Sequence, residues 1–150
     1  MRAIACFLLT FALLGCSTSA PQASSDAERK DVLAATDQWR MAYDSRDPAR
    51  IAALYAEGAT FWGTTMKTLA TSQQSIWEYF KDAASRPDAR VLFTEQQIRI
   101  YGDIAINSGA YTFTDKRDGK DIVNPSRYSM VFHRRSGAWV LVHHHSSRLP

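Results

Sequence analysis

The stretch Arg127-Tyr128-Ser129-Met130-Val131-Phe132-His133-Arg134-Arg135-Ser136-Gly137-Ala138-Trp139-Val140-Leu141-Val142-His143-His144-His145-Ser146-Ser147-Arg148-Leu149-Pro150 decides the fold. Apolar and polar residues alternate on both sides of Ser136-Gly137. Two runs with a period of two around a short polar break read as a β-hairpin. The same rhythm continues backwards. Val91 to Tyr101, Ile104 to Thr114, Ile122 to Arg135 and Ala138 to Ser147 read as four strands of an antiparallel meander. Their breaks are Gly102-Asp103, Asp118-Gly119 and Ser136-Gly137, residues that accept the backbone angles of tight turns.

Upstream the period changes. In Asp26 to Ser45, Val32, Ala35, Trp39, Ala42 and Tyr43 recur at three- and four-residue spacing, which predicts an amphipathic helix. Asp47-Pro48 predicts the cap and first residue of a short second helix. Ile51, Leu54 and Tyr55 form its buried side, and Gly58 ends it. Ala59 to Gly63 reads as a short strand. Thr71-Ser72 opens a third helix carrying Ile76, Trp77, Phe80 and Ala84, closed by Pro87. Helices segregated from an antiparallel sheet define an α+β class, here three N-terminal helices packed on a curved sheet over residues 26–150.

The first 25 residues follow other rules. Met1-Arg2 is followed by Ala3 to Leu14, apolar except for Thr10. About twelve residues are too few to cross a bilayer, which takes ~20, and suit a signal peptide over residues 1–15. Leu13-Leu14-Gly15-Cys16 resembles the lipobox of bacterial lipoproteins, which implies lipidation of Cys16. Residues 16–25 then form the lipidated cysteine and a polar tether. Ser17 after the cysteine resembles the outer-membrane sorting class. The expected location is the cell envelope, lipid-anchored, facing the periplasm if the host is Gram-negative. Both cysteines, Cys6 and Cys16, lie in this segment, so no disulfide is expected in the folded domain.

Of 150 residues, 45% are hydrophobic and 22% charged, with a net charge of +3. That excludes disordered and collagen-like chains. Lys and Arg are interleaved with acids, so no nucleic-acid partner is expected.

With these elements in place, the chain resembles the NTF2-like, or SnoaL-like, superfamily. The C-terminal stretch quoted above resembles the association domain of calcium/calmodulin-dependent protein kinase II. It is still more similar to the bacterial SgcJ/EcaC-like proteins, through Arg127-Tyr128, the basic hairpin with Gly137-Ala138-Trp139, and His144-His145-Ser146-Ser147. Phe61-Trp62-Gly63-Thr64 and Tyr111-Thr112-Phe113-Thr114 also fit. The resemblance covers about residues 27–150 and implies a cone-shaped domain with an internal cavity. In the kinase hub, pocket arginines lie on the last two strands. Met130 and Ser146 stand at those positions here, so the hub's acidic-ligand pocket does not carry over. No kinase motif is present.

The residues leave several chemistries open. Trp62, Tyr43, Tyr55, Trp77 and Tyr111 are expected to line the cone. Arg127, mid-strand among apolar neighbours, either clamps a ligand carboxylate or pairs with an internal acid. Strict alternation puts Trp139, Leu141, His143 and His145 on one face, and Val140, Val142, His144 and Ser146 on the other, unless a bulge intervenes. His144 and His145 are the candidates for acid–base work. A metal on His143 and His145 would need further ligands, and the reading expects none. No nucleophilic triad, phosphate loop or reactive cysteine is present, and no cofactor is expected. The expected function is therefore an envelope lipoprotein whose domain oligomerises, as a homodimer or larger. It holds a small organic molecule through Trp62, Tyr111, Arg127 and His145. Val131, Val140 and Val142 give its sheet an apolar outer face for assembly. The alternative is an isomerase, cyclase or hydratase with a histidine proton shuttle.

Overall fold

The structure, a computed structural model, describes residues 26–150. The signal peptide, Cys16 and the tether lie outside the described residues. Three helices, α1 (Asp26–Asp44), α2 (Pro48–Ala52) and α3 (Gln73–Ala83), pack on a five-stranded sheet. Its strands are β1 (Tyr55–Trp62), β2 (Arg90–Tyr101), β3 (Ile104–Arg117), β4 (Lys120–Arg135) and β5 (Ala138–Arg148), in the order β1-β5-β4-β3-β2. No helix among the described residues is long and apolar enough to cross a membrane.

The helices form where spacing and caps require. α1 buries Val32, Thr36, Trp39, Ala42 and Tyr43 along one stripe. The Asp47 carboxylate accepts from the backbone of Ala49 and Arg50 at the start of α2. Ser72 and Ser75 exchange hydrogen bonds in a capping box that opens α3. The meander follows its turns. Asp118-Gly119 and Ser136-Gly137 all take positive φ, the conformation of the two-residue hairpin turn.

Three expectations need correction. The sheet is mixed, because β1 pairs in parallel with β5, Phe61 opposite His144 and Trp62 opposite His145. The first strand begins at Tyr55, four residues earlier than its local pattern suggested. Gly58 (φ 72°) does not end a helix. It lies inside β1, where the register with β5 shifts. Third, a bulge alters the facing of β5. Val131 pairs with His143 but Phe132 pairs with Leu141, so Val142 is the extra residue. Leu141, His144 and Ser146 are buried on the helix side, and His145 is exposed on the outer one.

The core is aromatic. Trp39, Tyr55, Phe61, Phe80 and Tyr111 are each at most 1% exposed. Their rings meet edge-on, stacked or tilted, which favours one arrangement over a merely greasy interior.

Candidate functional site

Between the sheet and α1 and α3 lies a cavity of about 100 Å³. Its floor is built from Trp39 and Tyr43 of α1, Phe61 of β1, Phe80 of α3, Tyr111 and Phe113 of β3 and His144 of β5. This is room for roughly one ring, on the scale of apolar cavities that accept benzene.

His144 is the floor's one imidazole, beside the Trp39 indole. It is 1% exposed, and Trp39 meets it edge-on at 5.1 Å between ring centroids. Its Nδ1 lies 2.8 Å from the Tyr55 hydroxyl and its Nε2 3.3 Å from that of Tyr111. The Trp39 indole N–H donates to the Tyr55 oxygen at 3.0 Å. Burial drives the His144 pKa down to about 3, and the nearby His143 and His145 act in the same direction. The ring is therefore neutral near pH 7. Burial pushes the Tyr55 and Tyr111 hydroxyls well above the usual phenol range, so both keep their protons. The Ser146 hydroxyl contacts that of Thr64. Tyr111, Ser146 and Thr64 all line the cavity.

The mouth is charged. Asp115, its side chain 5% exposed, accepts two bonds from Arg117 at 2.9 and 3.1 Å and one from Arg86 at 3.4 Å. Hydrogen bonding by Arg117 holds its carboxyl below the usual carboxylate range. Asn124 and the exposed Arg148 complete the rim. Three guanidinium groups against one carboxylate leave the mouth with two net positive charges. β5 thus sets His144, Ser146 and Arg148 along the helix side of one strand, from floor to mouth, in steps of ~7 Å.

The sequence-level candidates divide. Tyr43, Tyr111 and His144 line the cavity. Tyr55 is buried behind it. Trp62 is 39% exposed on the outer side, its indole N–H donating to the Met66 carbonyl. Trp77 packs under Lys81 and does not line the cavity. Arg127 is exposed, and its Nε donates to the Ser147 hydroxyl at 3.0 Å, so it is neither buried nor aimed into the cone. His145 is exposed on the outer face, and neighbouring His143 bonds Thr60 at 2.7 Å. The Val142 bulge accounts for the histidines, and the facing of β4 for Arg127. Among the described residues, no group of three or more His, Cys, Asp or Glu side chains is placed to hold a metal ion.

Arg86, Asp115, Arg117, Arg148 and Thr64 were missed, while Ser146, read as standing where the kinase hub has a pocket arginine, does line the cavity. Two of these had a readable signal: Asp115 and Arg117 stand two apart in one strand, on the same face.

The sequence pattern of the calcium/calmodulin dependent protein kinase II association domain matches residues 28–150. Among curated proteins none matches. Solved structures do. A Xanthomonas campestris chain, provisionally named a calcium/calmodulin dependent protein kinase II association domain, is 29% identical with a TM-score of 0.76, covering 88% of this chain and 94% of that one. A Salmonella enterica protein of the nuclear transport factor 2 (NTF2-like) superfamily is 16% identical with a TM-score of 0.73, covering 85% and 94%. A Streptomyces avermitilis protein of the NTF2-like family, provisionally named a dehydratase, is 14% identical with a TM-score of 0.74, covering 83% and 98%. The last two likenesses are of fold.

Proposed function

The chain belongs to the calcium/calmodulin dependent protein kinase II association domain family, and from that premise we propose an assembly module whose cone holds a small organic acid. The observation that carries the ligand is the cavity itself: an aromatic floor of one-ring size under a rim of three arginines and one aspartate. Such a site favours an apolar body with a single anionic group. Assembly follows the family and uses the outer face of the sheet, where Val131, Val140 and Val142 are only half-covered and Leu92 and Val123 are 64% and 60% exposed. The lipidated Cys16 tethers the domain to the envelope, outer membrane facing the periplasm in a Gram-negative host.

The histidine proton shuttle finds no support in this geometry. His144 holds no exchangeable charge near neutral pH, and His145 does not reach the cavity. The test is calorimetric titration with benzoate and with uncharged benzamide. Benzoate binds, benzamide binds at least tenfold more weakly, and Arg148→Ala weakens benzoate about tenfold without lowering the melting temperature. Equal binding of the two probes, or none, rejects the acid-binding reading.

A further inference from the structure

The hydrogen bonds around His144 have a direction that the structure fixes. The Trp39 indole can only donate, so the Tyr55 oxygen accepts. Tyr55 is fully enclosed in the core, and its own hydrogen has one partner among the described residues, His144 Nδ1. Were Nδ1 protonated, it would donate to Tyr55 as Trp39 does. The Tyr55 hydrogen would then be buried without an acceptor, which is unfavourable. So Nδ1 is bare and the proton sits on Nε2. Nε2 donates to Tyr111. Tyr111 keeps its own hydrogen, and the Ser146 hydroxyl meets that of Thr64. Six donor groups then share four links. Two hydrogens, one on Tyr111 and one on the Ser146–Thr64 pair, have no acceptor among these contacts, and all three hydroxyls line the cavity.

We propose that the Tyr111–Ser146–Thr64 cluster is a hydrogen-bond donor site for a carbonyl oxygen of the ligand. The ligand class is then a small acid carrying a keto or aldehyde oxygen at the end of the molecule opposite its carboxylate. Trp39 and Tyr55 are positioning residues that act through the His144 tautomer. The inference rests on the acid-binding reading above. It adds what the inner end of the cavity selects.

Two measurements on the full chain test it. In the first, the four histidines are labelled with 15N and assigned by single His→Gln substitutions. Long-range proton–nitrogen correlations then read the tautomer. His144 shows a bare Nδ1 and a protonated Nε2, unchanged from pH 5 to 8, and Tyr55→Phe shifts it toward a mixture of tautomers. A protonated Nδ1 in the unsubstituted chain overturns the inference. The second measurement compares 4-formylbenzoate with 4-vinylbenzoate, which differ in shape only slightly but of which only one offers an oxygen. The aldehyde binds about tenfold tighter. The preference falls to within twofold in Ser146→Ala, and in Tyr111→Phe if that variant folds. If both acids bind equally to the unsubstituted chain, the acid-binding reading stands and the donor site is rejected. If neither binds, the acid-binding reading falls, and the donor site falls with it as a ligand site.

Discussion

Acid should destabilise this domain through His144 before its carboxylates titrate. The folded ring takes a proton at about 3 and the unfolded ring at 6.5. Between those values the unfolded chain binds the extra proton. Stability is therefore complete above pH 6.5 and is lost as pH falls from there toward 3. Full linkage gives about 1.4 kcal/mol per pH unit, and integration from pH 7.5 to 5 gives about 2 kcal/mol. That is a large part of the 5–15 kcal/mol of typical domains. His143, lowered by burial and by His145, adds a smaller loss of the same sign. The assay is urea denaturation followed by tryptophan fluorescence at half-unit pH steps and one protein concentration, since self-association shifts apparent stability. His144→Gln supplies the control. Its amide can still accept from Tyr55 and donate to Tyr111, and it does not titrate. The variant should be less stable at pH 7.5 yet lose less than half as much on going to pH 5. Parallel pH profiles for the two proteins would refute the buried, neutral imidazole.

Three further outcomes follow from the same contacts. Tyr55→Phe keeps the ring but strands the Trp39 indole N–H and His144 Nδ1. It should cost about 2–5 kcal/mol in chemical denaturation, and a loss below about 0.5 kcal/mol would mean the network is not formed. Asp115→Asn should cost about 1–2 kcal/mol at pH 7, because it removes the charge that Arg117 and Arg86 bind. Because the folded carboxyl titrates below its unfolded value, the difference should vanish as pH falls through the carboxylate range, which a melting series at pH 7, 5 and 3 reads. Gly109→Ala would set a Cβ 2.0 Å from the Glu95 carbonyl oxygen, beside the bulge of β2. It should lower stability by about 1–3 kcal/mol, and unchanged stability would show that β2 does not approach that closely.

The parts of the fold that are local in sequence are legible in the sequence itself. The meander was written in its period and in Asp118-Gly119 and Ser136-Gly137. The helices were written in the stripe from Val32 to Tyr43 and in the caps at Asp47 and Ser72. The parallel pairing of β1 with β5 was not, because it joins residues over 80 positions apart and leaves no turn to mark it. The site was less legible still. One bulged residue, Val142, reverses which histidine faces inward, and no composition rule announces it. His144 appeared among the candidates, but as a proton shuttle. Its neutrality follows from burial in an aromatic enclosure that only packing creates, and its hydrogen-bond partner Tyr55 lies 89 positions away. Arg127 carried a signal that resembled a site and proved to be exposed, whereas Arg148, near the chain's end, sits at the mouth.

The most direct test of the central claim is native mass spectrometry of the untagged protein, repeated after denaturation. Assemblies of two or more copies are expected, each releasing a small molecule whose accurate mass and fragmentation identify a carboxylic acid. A bare monomer that takes up no benzoate when supplied with it would contradict both the assembly and the acid-binding cone.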